Sequence, residues 1–161
     1  MTALAEEQGP PAHRAIVVRE SVQVELRQEQ AFRLFTEGIT EWWPLEEGYS
    51  FGGERTMEVH LDPWVGGRFY ETWVDGDEFQ TGRVIACDRP HRIVFTWRDE
   101  HERGEMEVEV RFTPEEDGTL VTVEHRGFER LGPGGKELAA RYSGGWPRVV
   151  QAFALQAAHH G

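Results

Sequence analysis

The sequence predicts an α+β fold in which a curved antiparallel sheet of about seven strands wraps around one long C-terminal helix. Two observations lead to this prediction. Between residues 54 and 125, apolar and polar residues alternate in short segments that are separated by turn signals, as in antiparallel strands. From residue 136 to 159 the apolar spacing changes to three and four residues, which places one stripe along a helix. The predicted element order is β-α-α-β6-α.

The N-terminal part of the chain contains a leader and the first strand. Residues 1–14 are rich in Glu, Gln and Pro and lack a basic start followed by an apolar core, so they predict a flexible leader and not a secretory signal. Residues 15–161 form the single predicted domain, since 161 residues suit one hydrophobic core. The alternation over residues 16–26 predicts the first strand, with one buried face.

Two short helices are expected next. Residues 28–37 have helical spacing, and Gly38 is a natural C-terminal stop. Residues 39–43 predict a second helix that a proline ends. On that helix the adjacent Trp42 and Trp43 would point about 100° apart. We therefore expect one of the two rings to pack inward and the other to cover an edge.

The remaining strands and the last helix complete the predicted fold. The sequence Asp-Gly-Asp at 75–77 is a strong hairpin signal between two of the strands. In the last helix, Pro147 favours a start or restart at that point, with residues 136–142 as a separate helical turn. The predicted strands cover residues 56–62, 68–75, 79–86, 92–97, 106–112 and 119–125.

Charge and composition exclude several classes of function. The formal net charge is −12, which argues against sequence-independent binding to nucleic acid or to anionic lipid. No apolar run approaches the roughly 20 residues of a membrane span. The single cysteine, Cys87, rules out an internal disulfide and fits a reducing cytoplasm. The histidines lack ligand spacing such as HExxH, so no metal site is predicted.

A set of short motifs, in this order, makes the chain similar to a known superfamily. They are Phe32, Phe35, Trp42-Trp43, Gly66-Gly67-Arg68-Phe69, Gly82-Arg83-Val84-Ile85, the segment 88–97, Gly118-Thr119, His125-Arg126-Gly127-Phe128 and Gly144-Gly145-Trp146. Together with the element order they resemble the START-like (Bet v 1-like, SRPBCC) helix-grip superfamily. The most similar branch is that of the homologues of the heat-shock protein 90 ATPase activator C-terminal domain. The similarity extends from about residue 16 to residue 153.

The resemblance implies a helix-grip fold with a cavity between the long helix and the sheet. Members of the wider superfamily bind lipids, hormones, polyketides or other apolar molecules there, and some are cyclases or hydrolases. The co-chaperone for which the branch is named has a separate N-terminal domain, which nothing in this sequence matches. We therefore do not expect direct activation of the chaperone ATPase.

Inward-facing apolar residues, nearly all aromatic, are the main candidates for lining such a cavity. Their rings would give a flat or lipid-like molecule a large contact area. A strongly curved sheet and one helix cannot meet everywhere, so we expect a hollow between them. The alternative is that these residues fill the core. The set is Trp43, Phe69, Trp73, Phe95, Trp97, Phe128, Tyr142, Trp146, Val150 and Phe153.

Two polar residues lie on the same inward faces. Glu71 shares its face with Phe69, and His125 shares its face with Val123. A carboxylate in apolar surroundings costs several kcal/mol unless it is paired or protonated. Glu71, His125 or Tyr142 would hydrogen-bond a polar group of a ligand, or Glu71 and His125 would act as acid and base.

Structural roles are the alternatives for both residues. A bulge would turn Glu71 outward, or Arg68 or Arg83 would pair with it. His125 would be a strand-end histidine bonded to the backbone near Gly127.

The combined expectation is a domain that binds a small apolar or amphipathic molecule in the cavity. Phe128 and the glycine-rich segment 132–135 would gate the opening. One alternative is a small-molecule enzyme, a cyclase, dehydratase or hydrolase, that uses Glu71 and His125. A second is a chaperone-associated or stress-related interaction module that docks through the outer sheet face. No cofactor is expected, and the sequence is compatible with a homodimer.

Overall fold

Seven antiparallel strands and three α-helices form the part of the chain that the computed structural model describes, residues 15–160. The predicted leader, residues 1–14, lies outside the described residues. The strands are β1 (Val17–Val24), β2 (Thr56–Leu61), β3 (Arg68–Trp73), β4 (Glu78–Asp88), β5 (Arg92–Arg98), β6 (Glu105–Glu115) and β7 (Gly118–Arg126). The helices are α1 (Gln28–Phe35), α2 (Ile39–Trp42) and α3 (Gly135–His160). Short 3-10 segments lie at Leu45–Glu47, Gly53–Arg55 and Phe128–Gly134. The predicted fold class and element order are confirmed.

The sheet is curved, and its strand order is β1-β7-β6-β5-β4-β3-β2. All neighbouring strands are antiparallel. Register shifts occur near Thr56 in β2, between Phe69 and Tyr70 in β3, and between Val84 and Ala86 in β4. Because bulges of this kind bend a strand and increase its twist, they concentrate curvature in the β2–β4 half of the sheet.

Helix α3 is continuous from Gly135 to His160 and contains Pro147 in its interior. The prediction that the final helix starts or restarts at Pro147 was therefore wrong. Proline removes one hydrogen bond to the carbonyl of Ser143, four residues earlier, and Ser143 is exposed to solvent. Trp146 and Val150, which flank Pro147 in the sequence, are buried. Packing thus holds the two parts of the helix in one rod.

The two adjacent tryptophans are both buried, with exposed fractions of 4% for Trp42 and 8% for Trp43. The expectation that one of them covers an edge was wrong. Trp43 is the C-terminal cap residue of α2 and has extended backbone angles, φ −60° and ψ 127°. The 100° separation applies to two residues within a helix. Since Trp43 has left the helix, its ring can turn inward beside Trp42, with the ring centroids 5.6 Å apart.

Aromatic rings fill the end of the domain where α1 and α2 cover the sheet. The Phe35 ring lies 5.3 Å from Phe153 of α3 and 5.8 Å from Phe112 of β6. Trp42 lies 5.2 Å from Phe153, edge to face. Phe32 lies 5.2 Å from Phe112. These ring contacts make the interior of this end of the domain part of the packed aromatic core.

The outer face of the sheet is charged. Arg126 of β7 forms ion pairs with Glu107, Glu109 and Glu124 on the same and the neighbouring strand. Among residues 15–160, no helix is both long enough and apolar enough to cross a lipid bilayer.

Candidate ligand cavity

A cavity of about 320 Å³ lies between the N-terminal half of α3 and the strands β2–β5. Ligand pockets in proteins have volumes of roughly 300–1,000 Å³, so this cavity is at the small end of that range. At roughly 30 Å³ per water molecule it has space for about ten waters. The exposed residues Gly48, Glu100 and Arg141 belong to its lining, which places the mouth beside the first turns of α3.

Half of the predicted site residues line this cavity, and half do not. Those in the lining come from four different segments of the chain, and the structure brings them together: Trp43, Phe69, Glu71, Trp97, Tyr142 and Trp146. The others lie outside the lining: Trp73, Phe95, His125, Phe128, Val150 and Phe153.

Each residue outside the lining has another packing partner. Trp73 stacks on Phe79, with 5.6 Å between the ring centroids, and Arg55 covers the Trp73 ring. Phe95 stacks against Phe69, and Val150 and Phe153 belong to the buried core. Phe128 packs on His125 at 4.5 Å. The glycine-rich segment 132–135 is also absent from the lining, so neither part of the expected gate lies at the cavity.

Sequence reasoning missed two thirds of the lining, 12 of its 18 residues. One missed group is the segment 48–51, which crosses over the cavity between α2 and β2. The other missed residues lie on or directly beside strands and helices that were themselves predicted. Thr81 carried a usable signal, since it lies two residues from Phe79 and therefore on the same face of β4. The missed residues are Gly48, Tyr49, Ser50, Phe51, Val59, Thr81, Asp99, Glu100, Leu138, Arg141, Gly145 and Val149.

The buried carboxylate of Glu71 accepts four hydrogen bonds. The backbone N–H groups of Phe51 and Gly52 donate at 2.6 Å and 2.9 Å. The hydroxyl of Thr56 donates at 3.1 Å, and the indole Nε1 of Trp73 donates at 3.0 Å. Glu71 is only 2% exposed. The structural alternatives supposed that Glu71 turns outward at a bulge or pairs with an arginine. Instead, the carboxylate is buried and accepts hydrogen bonds from two backbone amides, one hydroxyl and one indole.

Glu71 thereby fixes the segment that forms one wall of the cavity. Its two backbone donors belong to the loop that places Tyr49, Ser50 and Phe51 in the lining. A further hydrogen bond, from the indole Nε1 of Trp43 to the carbonyl of Tyr49, is 2.6 Å long. The wall is therefore tied to the sheet through Glu71 and to α2 through Trp43.

His125 is fully buried behind the cavity wall. The indole Nε1 of Trp146 donates a hydrogen bond to Nδ1 of His125 at 3.0 Å. The partner of this ring nitrogen is therefore an indole and not the backbone near Gly127. Because burial removes the imidazole from water, its pKa falls from 6.5 to about 3, so the ring is neutral at neutral pH. A neutral ring whose Nδ1 accepts carries its proton on Nε2. Within residues 15–160 that Nε2 has no hydrogen-bond partner.

The proposed acid–base pair is not assembled in the cavity. His125 is outside the lining, and both oxygens of Glu71 are occupied by donors. An acid–base mechanism needs both groups within hydrogen-bond reach, or one water, of a substrate atom. The geometry gives no support to the enzymatic alternative.

The mouth of the cavity carries charged groups of both signs. Arg103 donates to both carboxylate oxygens of Asp99, at 2.8 Å and 2.9 Å. These hydrogen bonds lower the pKa of Asp99 to about 2, so the carboxylate remains ionised. Glu100 and Arg141 complete the rim. Residues 15–160 contain no group of three or more His, Cys, Asp or Glu that could hold a metal ion.

Comparison with known proteins assigns the chain to a family. The family model for activator of Hsp90 ATPase homolog 1-like protein (AHSA1) matches residues 25–155, which span the six strands β2–β7, helices α1 and α2, and most of α3. The chain belongs to the AHSA1 family. No curated protein matches the sequence.

Solved structures share the AHSA1-like fold. Protein MLL2253 from Mesorhizobium loti is 22% identical, with a TM-score of 0.62 over 91% of this chain and 98% of that one. The AHSA1-like protein from Aeromonas hydrophila is also 22% identical, with a TM-score of 0.63 over 89% and 94%. Protein NE0264 from Nitrosomonas europaea is 16% identical, with a TM-score of 0.65 over 90% and 96%. At these identities the likeness establishes the fold.

Proposed function

We propose that the protein binds a small apolar or amphipathic molecule in the cavity between α3 and the sheet. The observation that carries this proposal is a hollow of about 320 Å³ whose lining includes seven aromatic side chains. Burying apolar surface is the main favourable term in such binding, at roughly 25 cal/mol per Å². Four of the lining residues, Trp43, Phe69, Trp97 and Trp146, supply apolar walls that support the proposal.

The ring orientations favour a flat occupant. Trp43 and Trp146 are perpendicular, with an interplanar angle of 89°, and Phe69 meets Trp43 at 74°. Phe69 and Trp97 meet at 62°. Rings that already pack edge to face leave other edges and faces free, and a planar molecule can extend this pattern with further offset or edge contacts.

Two adjacent glycines of α3 provide a matched test of the cavity. Gly145 belongs to the lining, and a Cβ there would lie 3.2 Å from the ring of Tyr49. Gly144 is exposed, and a Cβ there would meet nothing within 4 Å. Replacing either glycine within a helix gives a similar gain in helix propensity, up to about 1 kcal/mol. Only the Gly145→Leu variant places a side chain in the hollow.

We expect a thermal-shift screen of fatty acids, sterols and flat aromatic molecules to find ligands of the wild-type protein. A ligand present at 100 times its Kd stabilises the folded state by about 2.7 kcal/mol. The Gly145→Leu variant should lose this shift, because leucine occupies the binding volume, whereas Gly144→Leu should keep it. The proposal would be contradicted if a ligand still raised the melting temperature of Gly145→Leu, or if no molecule of the panel stabilised the wild-type protein.

The remaining parts of the proposal concern location and assembly. The half-buried Cys87 forms no disulfide, which suits a reducing cytoplasm. Trp64 and Val65, in the turn between β2 and β3, are 58% and 64% exposed, and they are candidates for a homodimer contact or a protein-docking contact. Light scattering of the purified protein, with Trp64→Ser as the comparison, tests the homodimer.

A further inference from the structure

Tyr142 of α3 holds an unused hydrogen-bond donor at the cavity. The indole Nε1 of Trp97 donates to the Tyr142 hydroxyl oxygen at 2.9 Å. Among the described residues, no acceptor receives the proton of that hydroxyl. Burial raises the pKa of the Tyr142 phenol, while the bond from Trp97 lowers it less, so the phenol keeps its proton at neutral pH. Tyr142 therefore offers a donor to whatever occupies the cavity.

Thr81 of β4 gives a second, independent sign of a missing partner. It lines the same cavity, and it is 2% exposed. Its hydroxyl is one of two buried side-chain polar atoms in residues 15–160 that have no hydrogen-bond partner. An unpaired buried hydroxyl is costly, and native structures rarely retain one without a reason. A ligand atom in the cavity would supply the partner.

The charges around the cavity do not favour an ionised ligand. Three carboxyl side chains, Glu71, Asp99 and Glu100, belong to the lining, against one guanidinium, Arg141. An anion would therefore meet a net negative field. A cation gains little from Glu71 or Asp99, because four donors already bond Glu71 and Arg103 already pairs with Asp99. The third carboxylate, Glu100, is exposed at the rim, where solvent screens its charge.

We propose that the ligand is a flat, uncharged aromatic molecule with a carbonyl-type oxygen, and that the hydroxyls of Tyr142 and Thr81 donate to that oxygen. The inference rests on the proposed function, since it names the class of molecule that the same cavity takes. The hydroxyl proton of Tyr142 calls for an acceptor, because the oxygen already accepts from Trp97 and no described residue receives the proton. The aromatic walls require a flat apolar body, and the two hydroxyls determine which end carries the oxygen.

A pair of probes with nearly the same shape isolates the hydrogen bonds. In 2-acetylnaphthalene the side group has a C=O, whereas in 2-isopropenylnaphthalene a C=CH₂ group takes its place. We expect the ketone to bind about tenfold more tightly in NMR titrations of the wild-type protein. In Thr81→Val and in Tyr142→Phe this preference should fall about threefold. Because both probes are measured in the same variant, any general change of the cavity affects both and cancels in the ratio.

Each result separates the inference from the proposed function. If both probes bind equally to the wild-type protein, the inference is wrong and the binding cavity stands. If the preference persists unchanged in both variants, Tyr142 and Thr81 are not the donors. If 2-naphthoate binds more tightly than the ketone, the ligand class is anionic and the proposed uncharged class is wrong. If none of these probes binds, and the wider panel is silent too, the proposed function fails with the inference.

Discussion

Replacing Glu71 with leucine should lower the free energy of unfolding by about 3–5 kcal/mol, since each buried donor left without an acceptor costs about 1–3 kcal/mol. Four donors lose their acceptor in this variant, and two of them are the backbone amides of Phe51 and Gly52. These amides cannot rotate toward another partner without moving the loop. Urea unfolding monitored by tryptophan fluorescence measures the loss.

Local opening of the cavity wall should accompany the global loss. Hydrogen exchange at the amides of Phe51 and Gly52 should become faster in Glu71→Leu than in the wild-type protein. The Glu71→Gln variant provides a milder case, because its amide keeps one acceptor oxygen and turns an NH₂ group toward donors. It should lose about 2 kcal/mol and remain folded.

Glu46 provides the matched control. It lies in the same connection between α2 and β2, and its side chain is exposed. The Glu46→Leu variant should change the free energy of unfolding by less than about 0.5 kcal/mol. If Glu71→Gln and Glu71→Leu behave like Glu46→Leu, with unchanged amide exchange, then Glu71 does not hold the wall. The carboxylate would in that case be free to contact a ligand.

The strands and helices of the fold were predictable because the spacing of apolar residues in the sequence follows the repeat of each type of element. Alternation defined β6 and β7, and the three-and-four spacing defined α3. The error at Pro147 has a physical cause. Local propensity disfavours proline inside a helix, but the burial of Trp146, Val149 and Val150 on both sides of it outweighs one missing hydrogen bond.

Only a third of the candidate site was predictable, because much of it depends on loop conformation. The inward face of β3 placed Phe69 and Glu71 correctly at the cavity. The backbone donors to Glu71, however, belong to a loop whose sequence has no regular spacing of apolar residues. No sequence pattern therefore predicts that Phe51 and Gly52 fold back over the sheet. The face of a strand on which a residue lies also does not tell how far that residue is from the cavity. Phe95 is on the inward face but packs behind Phe69, so the prediction that it lines the cavity is wrong.

Lowering the pH from 7 to 5 should destabilise the protein by about 2 kcal/mol through His125 alone. The pKa of His125 is about 3 in the folded state, because burial disfavours the imidazolium, against about 6.5 in the unfolded chain. The unfolded state thus binds the proton first as the pH falls. Stability is complete above pH 6.5 and decreases by about 1.4 kcal/mol per pH unit below it, toward pH 3.

Other groups with shifted pKa values act at lower pH and can be separated from His125. Hydrogen bonds from Arg103 lower the pKa of Asp99 to about 2, and a hydrogen bond from Arg19 lowers the pKa of Glu124. The stabilisation from such carboxylates is lost only as the pH falls below the ordinary carboxyl range, about 3.9–4.3. Urea unfolding between pH 7.5 and 5 therefore reports mainly on histidine.

The His125→Gln variant should abolish this slope while keeping an acceptor for the indole of Trp146. His159, exposed near the end of α3, supplies the matched change, and His159→Gln should keep the wild-type slope. A slope that survives in His125→Gln would mean that the buried imidazole is not the titrating group. A slope that disappears from that variant alone would show that this neutral ring, bonded to a cavity-lining tryptophan, makes the wall of the cavity sensitive to acid.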